Sequence, residues 1–146
     1  MKRAFYTPLL ILCMCQLAFA EADFSGNWVY DASDSTQPDT GERIILHRGN
    51  VFRISRLWNS KIYSVEYIVD GLEHTYITPG NDRLKYTAVL TGNTLRITGT
   101  FDWRVATNDP YDHTYVLSRD GRTLTHTIMI MSRKGPVIEK AIYIKK

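Results

Sequence analysis

The residues of this sequence with the clearest potential for chemistry are large aromatic or charged side chains placed at alternating positions within apolar runs. The residues concerned are Arg56, Trp58, Tyr63, Tyr67, Tyr86, Trp103 and His126. A packed core favours Leu, Ile and Val, because a buried hydroxyl or charge needs a hydrogen-bonding partner. A ligand cavity instead combines apolar walls with a few polar groups that orient the guest. These residues therefore predict a cavity for a small apolar or amphipathic molecule, with Arg56 or His126 meeting any polar head.

The same residue pattern fits a second interpretation, in which the tyrosines span the interior, bond to one another and fill it. The protein would then be an interaction protein that binds another protein or an envelope surface. Its binding surface would be the loops at residues 31–41, 79–82 and 106–112, or the basic face formed by residues 43–61.

The histidines and acidic residues form no recognisable catalytic or metal-binding pattern. His47, His74, His113 and His126 occur in no His-x-His or His-x₃-His pair, whereas a metal site needs three or four converging ligands. Asp109 and Asp112 fall in a predicted loop after Thr107-Asn108. There is no Gly-x-Ser-x-Gly elbow and no phosphate-binding glycine loop. We therefore predict no catalytic residue, no metal and no cofactor, and a protein that is not an enzyme.

Alternation with a period of two residues predicts that β-strands position these side chains. It is clearest in residues 94–105, where Leu95, Ile97 and Phe101 share one face and the residues between 95 and 101 on the other face are polar. Pairs such as Asp70-Gly71 and Asp120-Gly121 supply turns between the runs. We predict little helix and ten strands, near residues 26–31, 42–48, 51–58, 62–69, 73–78, 83–90, 94–105, 112–119, 122–132 and 136–145.

Consecutive hairpins without a long crossover predict an all-β, antiparallel, up-and-down meander of about eight to ten strands. A twisted meander of this size leaves two exposed edges unless it closes. Closure into a barrel removes the edges and can leave room for one small ligand. The polar connection at residues 31–41 is placed to cap one mouth of that barrel.

The N-terminal segment, residues 1–20, predicts a signal peptide, and residues 21–146 predict a single barrel domain. A short apolar run ends in Ala18-Phe19-Ala20, the small-x-small pattern that signal peptidases need. We expect cleavage after Ala20 and export to the periplasm or the extracellular space. The mature chain would contain no cysteine, since Cys13 and Cys15 lie in the removed segment.

The charge of the chain argues against nucleic acid as a partner. The formal net charge of +3 includes Lys2 and Arg3, so the mature chain carries only +1. That value is far below the basic footprint of a nucleic-acid-binding domain. The basic residues of the 43–61 face predict solvated charges at the barrel rim, with transient contact to an anionic envelope surface as a second interpretation.

The start of the predicted barrel carries a familiar motif, Phe24-Ser25-Gly26-Asn27-Trp28. Together with the ten-strand meander, it resembles the opening of the calycins, the group of lipocalins and fatty-acid-binding proteins. It also resembles small secreted bacterial lipocalin-like proteins that open with Phe-x-Gly-x-Trp. The resemblance implies that Gly26 and Trp28 are structural, with Trp28 plugging the closed end of the barrel, and that the function is binding of a small ligand.

The sequence also departs from those families at three points. Lipocalins stack an Arg of the last strands on the Trp, and Arg133 or Lys140 would have to supply that cation here. Fatty-acid-binding proteins read a carboxylate with Arg-x-Tyr, but the residue two before Tyr143 is Ala141. Residues 32–41 are too few for the two-helix lid of those proteins. We therefore expect a small-ligand carrier without the familiar carboxylate anchor.

Overall fold

The computed structural model describes residues 22–36, 41–58, 60–102, 109–132 and 134–146. The predicted signal peptide, Trp103 and Arg133 lie outside these ranges, and Trp58 is described by its backbone alone. The described residues contain ten strands and no helix: β1 (Gly26–Asp31), β2 (Glu42–Arg48), β3 (Val51–Trp58), β4 (Lys61–Ile68), β5 (Glu73–Ile77), β6 (Arg83–Thr91), β7 (Thr94–Asp102), β8 (Asp109–Leu117), β9 (Thr123–Ser132) and β10 (Gly135–Lys145).

The ten strands form one antiparallel sheet that curves into a nearly closed barrel. Their order is β4-β3-β2-β1-β10-β9-β8-β7-β6-β5. The first and last strands of the chain pair with each other, with Trp28 opposite Lys145 and Tyr30 opposite Tyr143. The predicted all-β meander is therefore confirmed.

The barrel is left open between β4 and β5, which are the two edges of the sheet. Tyrosine side chains bridge this gap. The Tyr86 hydroxyl accepts a hydrogen bond from the Ile68 N–H at 2.9 Å, and the Tyr76 hydroxyl donates to the Ser64 carbonyl at 3.3 Å. Because unpaired edge groups invite pairing with other chains, these bonds protect part of the β4 edge.

One sequence-based prediction about the loops is wrong. Asp109 and Asp112 lie within β8, not in a loop. The alternation of Tyr111, His113 and Tyr115 continues the strand toward its N-terminus, and Asp112 faces outward, where its carboxylate forms an ion pair with Arg96 of β7 at 2.8 Å. Asp favours turns, but pairing with the neighbouring strand stabilises the extended backbone here more than the residue type disfavours it.

Antiparallel order places the start of every odd-numbered strand at the same end of the barrel. We call this the closed end, because large apolar side chains fill it. Its fully or almost fully buried residues include Phe24, Trp28, Phe52, Leu95, Leu117 and Leu124. The opposite end, where β3 ends and β4 begins, is called the open end.

Trp28 is the largest fully buried side chain of the closed end. Its indole N–H donates to the Phe24 carbonyl at 3.0 Å, so burial leaves no polar atom of the ring unpaired. The Nζ atom of Lys145 lies 5.3 Å from the Trp28 ring centroid, a distance at which a cation is attracted to the ring face. The cation over Trp28 is therefore Lys145, not Lys140; Arg133 lies outside the described residues.

The glycine of the motif makes room for that lysine. Gly26 has a φ of 149°, in a region that side chains other than glycine rarely adopt. A Cβ atom at this position would lie 2.6 Å from Cε of Lys145. Gly26 thus lets the Lys145 side chain cross the start of β1 and reach Trp28.

Candidate functional site

The open half of the barrel contains a cavity of about 520 Å³, within the size range of small-ligand sites. Strands β2, β3, β4, β5, β8 and β9 all contribute to its wall. The lining residues are Arg43, Ile54, Arg56, Lys61, Ile62, Tyr63, Ser64, Val65, Tyr67, Tyr76, Thr78, Pro79, Tyr111, His113, Tyr115, His126 and Ile128. The wall therefore combines aliphatic side chains, cations and a concentration of aromatic polar groups.

The aromatic polar groups form one connected network, which we call the polar band: Tyr67, Tyr111, His113, His126 and Tyr115. The hydroxyls of Tyr67 and Tyr111 lie 2.5 Å apart and share a hydrogen bond. The Tyr111 ring stacks on His113 with 4.1 Å between centroids. His113 Nδ1 and His126 Nε2 lie 3.0 Å apart, and His126 stacks on Tyr115 at 4.2 Å.

Strand geometry explains how this network assembles. Tyr111, His113 and Tyr115 alternate along β8, so their side chains point to the same face. His126 of β9 pairs with Tyr115 in the ladder, which brings its ring over that tyrosine. Tyr67 belongs to β4 and is 44 residues from Tyr111 in sequence, and its side chain crosses the barrel interior to reach the Tyr111 hydroxyl.

Burial keeps the polar band uncharged at neutral pH. Desolvation lowers the pKa of His113 to about 4, partly offset by the nearby Asp112 carboxylate. Desolvation, with smaller contributions from His113 and Arg43, also holds the pKa of His126 well below its usual value. The same cause raises the pKa of Tyr67 and Tyr115 well above that of a free phenol. The band thus presents neutral hydrogen-bonding groups, not fixed charges, to the cavity.

The cations of the wall lie nearer the open end. Arg43 is the second residue of β2, and its partner in the ladder is Arg56 near the end of β3. Lys61 is the first residue of β4. Their charges also reach the polar band, because Arg43 and Arg56 both act electrostatically on Tyr115, and Arg43 acts on His126.

Four of the sequence-predicted ligand-binding residues line the cavity: Arg56, Tyr63, Tyr67 and His126. Tyr86 is buried beside it, with its ring 5.1 Å from that of Tyr67 in an edge-to-face arrangement, and its hydroxyl is used by Ile68. Trp58 ends β3, and its side chain, like Trp103 as a whole, is outside what the structure describes.

Sequence reasoning missed most of the β8 contribution. Tyr111, His113 and Tyr115 were not selected, although their strict alternation was visible in the sequence. The predicted strand begins only near residue 112, so Tyr111 falls in the predicted loop, although β8 in fact begins at Asp109. Arg43 and Tyr76 were also missed, because only pairing across strands brings them to the same cavity.

The tyrosines do bond to one another, as the filled-barrel interpretation requires, but they leave a cavity beside them. Within the described ranges, no group of three or more His, Cys, Asp or Glu side chains is placed to hold a metal ion. Among the same residues, no helix has the length and apolar character needed to cross a membrane.

Comparison with solved structures finds several proteins of similar architecture. A zebrafish ileal bile acid-binding protein complexed with cholic acid superimposes with a TM-score of 0.63 at 19% identity, covering 84% of this chain and 98% of that one. Lipid binding protein 8 of Caenorhabditis elegans, without ligand, gives 0.61 at 13% identity, covering 84% and 95%. The chain therefore shares the fold of these proteins. The predicted calycin resemblance is thus confirmed for the fold, which is all that such identities establish.

A third match is the fatty acid transporter REP1-NXSQ, with a TM-score of 0.59 at 12% identity, covering 84% of this chain and 95% of that one. No family model and no curated protein matches the sequence. All three solved structures are of proteins described as binding or transporting small molecules, none as an enzyme.

Proposed function

We propose that this protein is an exported, non-enzymatic carrier that holds a small apolar or amphipathic ligand in the open half of its barrel. The observation that carries the proposal is the cavity of about 520 Å³, whose wall combines aliphatic residues with neutral polar ones and three cations. Burial of apolar ligand surface would supply the affinity, and the few polar groups would supply orientation. The lipid-carrier fold supports the same function by analogy.

The proposed contacts follow the wall of the cavity. Ile54, Val65 and Ile128 would pack against the apolar body of the ligand. Tyr67 and His126 would meet its polar parts inside the barrel. Tyr63 and Arg56, which are opposite each other in the β3–β4 ladder, would meet a polar head at the mouth. Trp58 and Trp103 stay predicted contacts from the sequence.

Filling the cavity tests this proposal directly. Val65 lines the cavity and is partly buried, so Val65→Trp should occupy the ligand volume. We expect this variant to bind the neutral fluorescent probe N-phenyl-1-naphthylamine at least tenfold more weakly than the wild-type protein. The matched control is Val89→Trp, since Val89 is 45% exposed and outside the cavity lining.

Equal binding by both variants, with far-UV circular dichroism of a folded β-protein in each, would exclude the cavity as the binding site. Absence of probe binding to the wild-type protein would refute the carrier function and favour an interaction protein.

Export needs a separate experiment. The full chain, expressed in a bacterial host, should be recovered from the periplasm or medium with a mass that lacks residues 1–20, in agreement with the Ala18-Phe19-Ala20 pattern. Recovery of the intact 146-residue chain from the cytoplasm alone would refute export while leaving ligand binding unaffected.

A further inference from the structure

The polar band has more hydrogen-bonding capacity than its internal bonds use. Tyr115 is only 6% exposed, yet within the described part of the chain its hydroxyl has no hydrogen-bond partner. The same holds, among those residues, for the second ring nitrogens of the histidines, His113 Nε2 and His126 Nδ1. Because buried polar groups are normally paired, this part of the wall is incomplete by itself.

The paired histidines constrain what could complete it. Two neutral imidazoles joined by one hydrogen bond use one N–H and one lone pair between them. Whichever tautomers are present, the pair has one N–H donor and one lone-pair acceptor left over. If the two tautomers exchange, the donor and the acceptor change places. Each free nitrogen is thus a donor in one tautomer and an acceptor in the other, so it suits a group that can both donate and accept.

A hydroxyl is the simplest group of that kind, since it carries one donor and two acceptor lone pairs. A carboxylate can only accept, so it would leave the remaining lone pair of the histidine pair without a donor. The charges of Arg43 and Arg56 reach the band, since both act electrostatically on Tyr115. What favours a hydroxyl is therefore the donor and the acceptor left over in the band, and the arginines would meet a charged head carried elsewhere on the same ligand.

We infer that the natural ligand carries an uncharged hydroxyl group, and that the His113–His126 pair with Tyr115 recognises it inside the barrel. This inference rests on the proposed carrier function and specifies the chemical class of the ligand. The carrier would be selective for hydroxylated apolar molecules over their unsubstituted or etherified counterparts, because those would leave the buried groups of the band unpaired.

Two small probes isolate the hydroxyl. 2-Naphthol and 2-methoxynaphthalene share the same fused rings and the same oxygen, but methylation removes the donor. Both would be measured by displacement of N-phenyl-1-naphthylamine from the wild-type protein at pH 7.5, where 2-naphthol is uncharged. We expect 2-naphthol to bind about tenfold more tightly, the ratio for a hydrogen bond whose loss leaves a buried partner unsatisfied.

Matched variants assign that preference to the histidine pair. His126→Phe keeps an aromatic ring stacked on Tyr115 but removes the ring nitrogens, so the affinity ratio of the two probes should fall to about one. His74→Phe is the control, since His74 bonds to Asp70 at 2.9 Å and lies outside the cavity lining. The wild-type ratio should persist in that control.

A spectroscopic measurement covers the case in which His126→Phe does not fold. In wild-type protein labelled with ¹⁵N at histidine, 2-naphthol should shift the imidazole nitrogen resonances of His113 and His126. The ether should shift them much less.

The results of these experiments distinguish failure of hydroxyl recognition from failure of the carrier function. Equal affinities of the two probes for the wild-type protein would overturn the hydroxyl inference while leaving the carrier function standing. A tenfold preference that persists in His126→Phe would overturn its assignment to the histidine pair. Failure of the wild-type protein to bind either probe or N-phenyl-1-naphthylamine would overturn both.

Discussion

The two halves of this barrel place large aromatic side chains on the same inward face and use them in opposite ways. At the closed end, Trp28 is fully buried against its neighbours, and its one polar atom is bonded to the Phe24 backbone. In the open half, Tyr67 and Tyr115 are nearly as buried, but both line a cavity of about 520 Å³. The Tyr67 hydroxyl bonds to Tyr111, whereas the Tyr115 hydroxyl has no partner within the described ranges. One half is filled by apolar side chains, whereas the other surrounds a cavity lined by polar and apolar groups.

The difference teaches that residue type alone does not decide between a core and a binding site. An inward aromatic ring stabilises the fold wherever its surface is covered. It becomes part of a binding site where the ring lines a cavity and its hydroxyl or ring nitrogen faces that cavity. We therefore expect substitutions at the closed end to lower mainly the free energy of unfolding. Substitutions in the open half should lower that free energy less and the affinity for ligand more.

The largest expected effect is at the closed end. Trp28→Ala should lower the free energy of unfolding by about 3–5 kcal/mol, because it removes a fully buried ring and leaves a void. Urea denaturation followed by circular dichroism would measure this loss. The comparison residue is Tyr63 in the open half, which is 45% exposed, so Tyr63→Ala should cost less than about 1 kcal/mol. Similar losses at the two sites would refute the division between the halves.

The next effect comes from the histidine pair of the open half. Its pKa values are lower in the folded protein than in the unfolded chain, where histidine titrates near 6.5. As pH falls through that value, the unfolded chain takes up protons that the folded protein does not. Stability therefore decreases as pH falls from about 6.5, and the contribution of His113 to this decrease is complete just below its folded pKa of about 4.

That decrease should reach about 3 kcal/mol for His113 alone. It would be measured as the change in urea unfolding free energy between pH 7 and pH 4. The double variant His113→Phe with His126→Phe should lose most of this dependence. A wild-type protein equally stable at both pH values would show that the pair is not buried in neutral form.

A smaller loss of stability is expected from Gly99→Ala on β7. A Cβ atom at Gly99 would lie 1.9 Å from the Lys85 carbonyl oxygen and 2.8 Å from the Tyr86 Cα, and backbone atoms cannot move aside without shifting β6. We expect a loss of about 2 kcal/mol. Gly92→Ala is a useful comparison: no atom lies within 4 Å of its added Cβ, so its cost comes from the positive φ of 59° alone. An undiminished stability in Gly99→Ala would contradict the close approach of β6 and β7.

The smallest effect concerns the gap between β4 and β5. Tyr86→Phe removes the hydroxyl that accepts from the Ile68 N–H at 2.9 Å and should cost about 1 kcal/mol. Tyr76→Phe removes a longer bond, 3.3 Å to the Ser64 carbonyl, and should cost less. Hydrogen exchange of the Ile68 amide should also become faster in Tyr86→Phe but not in Tyr76→Phe. Unchanged exchange in both would mean that the tyrosines do not close the edge.

The fold was predictable from the sequence because its signals are local. Alternation along 94–105 and the turn pairs at 70–71 and 120–121 specify strands and hairpins one at a time. The closing pair, β1 with β10, joins opposite ends of the described barrel. For that reason the sequence predicts Arg133 or Lys140 as the cation over Trp28, whereas the structure has Lys145 there.

The site was predictable only in part for the same reason. Tyr67 and His126 could be selected from their own strands, but their partners Tyr111 and His113 belong to β8 and meet them only through the curvature of the sheet. The histidine pair has no sequence signature, since thirteen positions separate its members. Long-range contacts of this kind depend on register, which the local pattern does not contain.

The central claim is that ligand binds in the open half and not at the closed end, and methyl NMR tests it most directly. The protein, labelled with ¹³C at Ile, Leu and Val methyl groups, would be titrated with N-phenyl-1-naphthylamine and examined for intermolecular nuclear Overhauser effects. We predict such effects from the probe to Ile54, Val65 and Ile128 of the cavity wall, and none to Leu95, Leu117 or Leu124 of the closed end. Effects confined to the closed end, or to exposed methyls such as those of Ile44 and Ile138, would contradict the account.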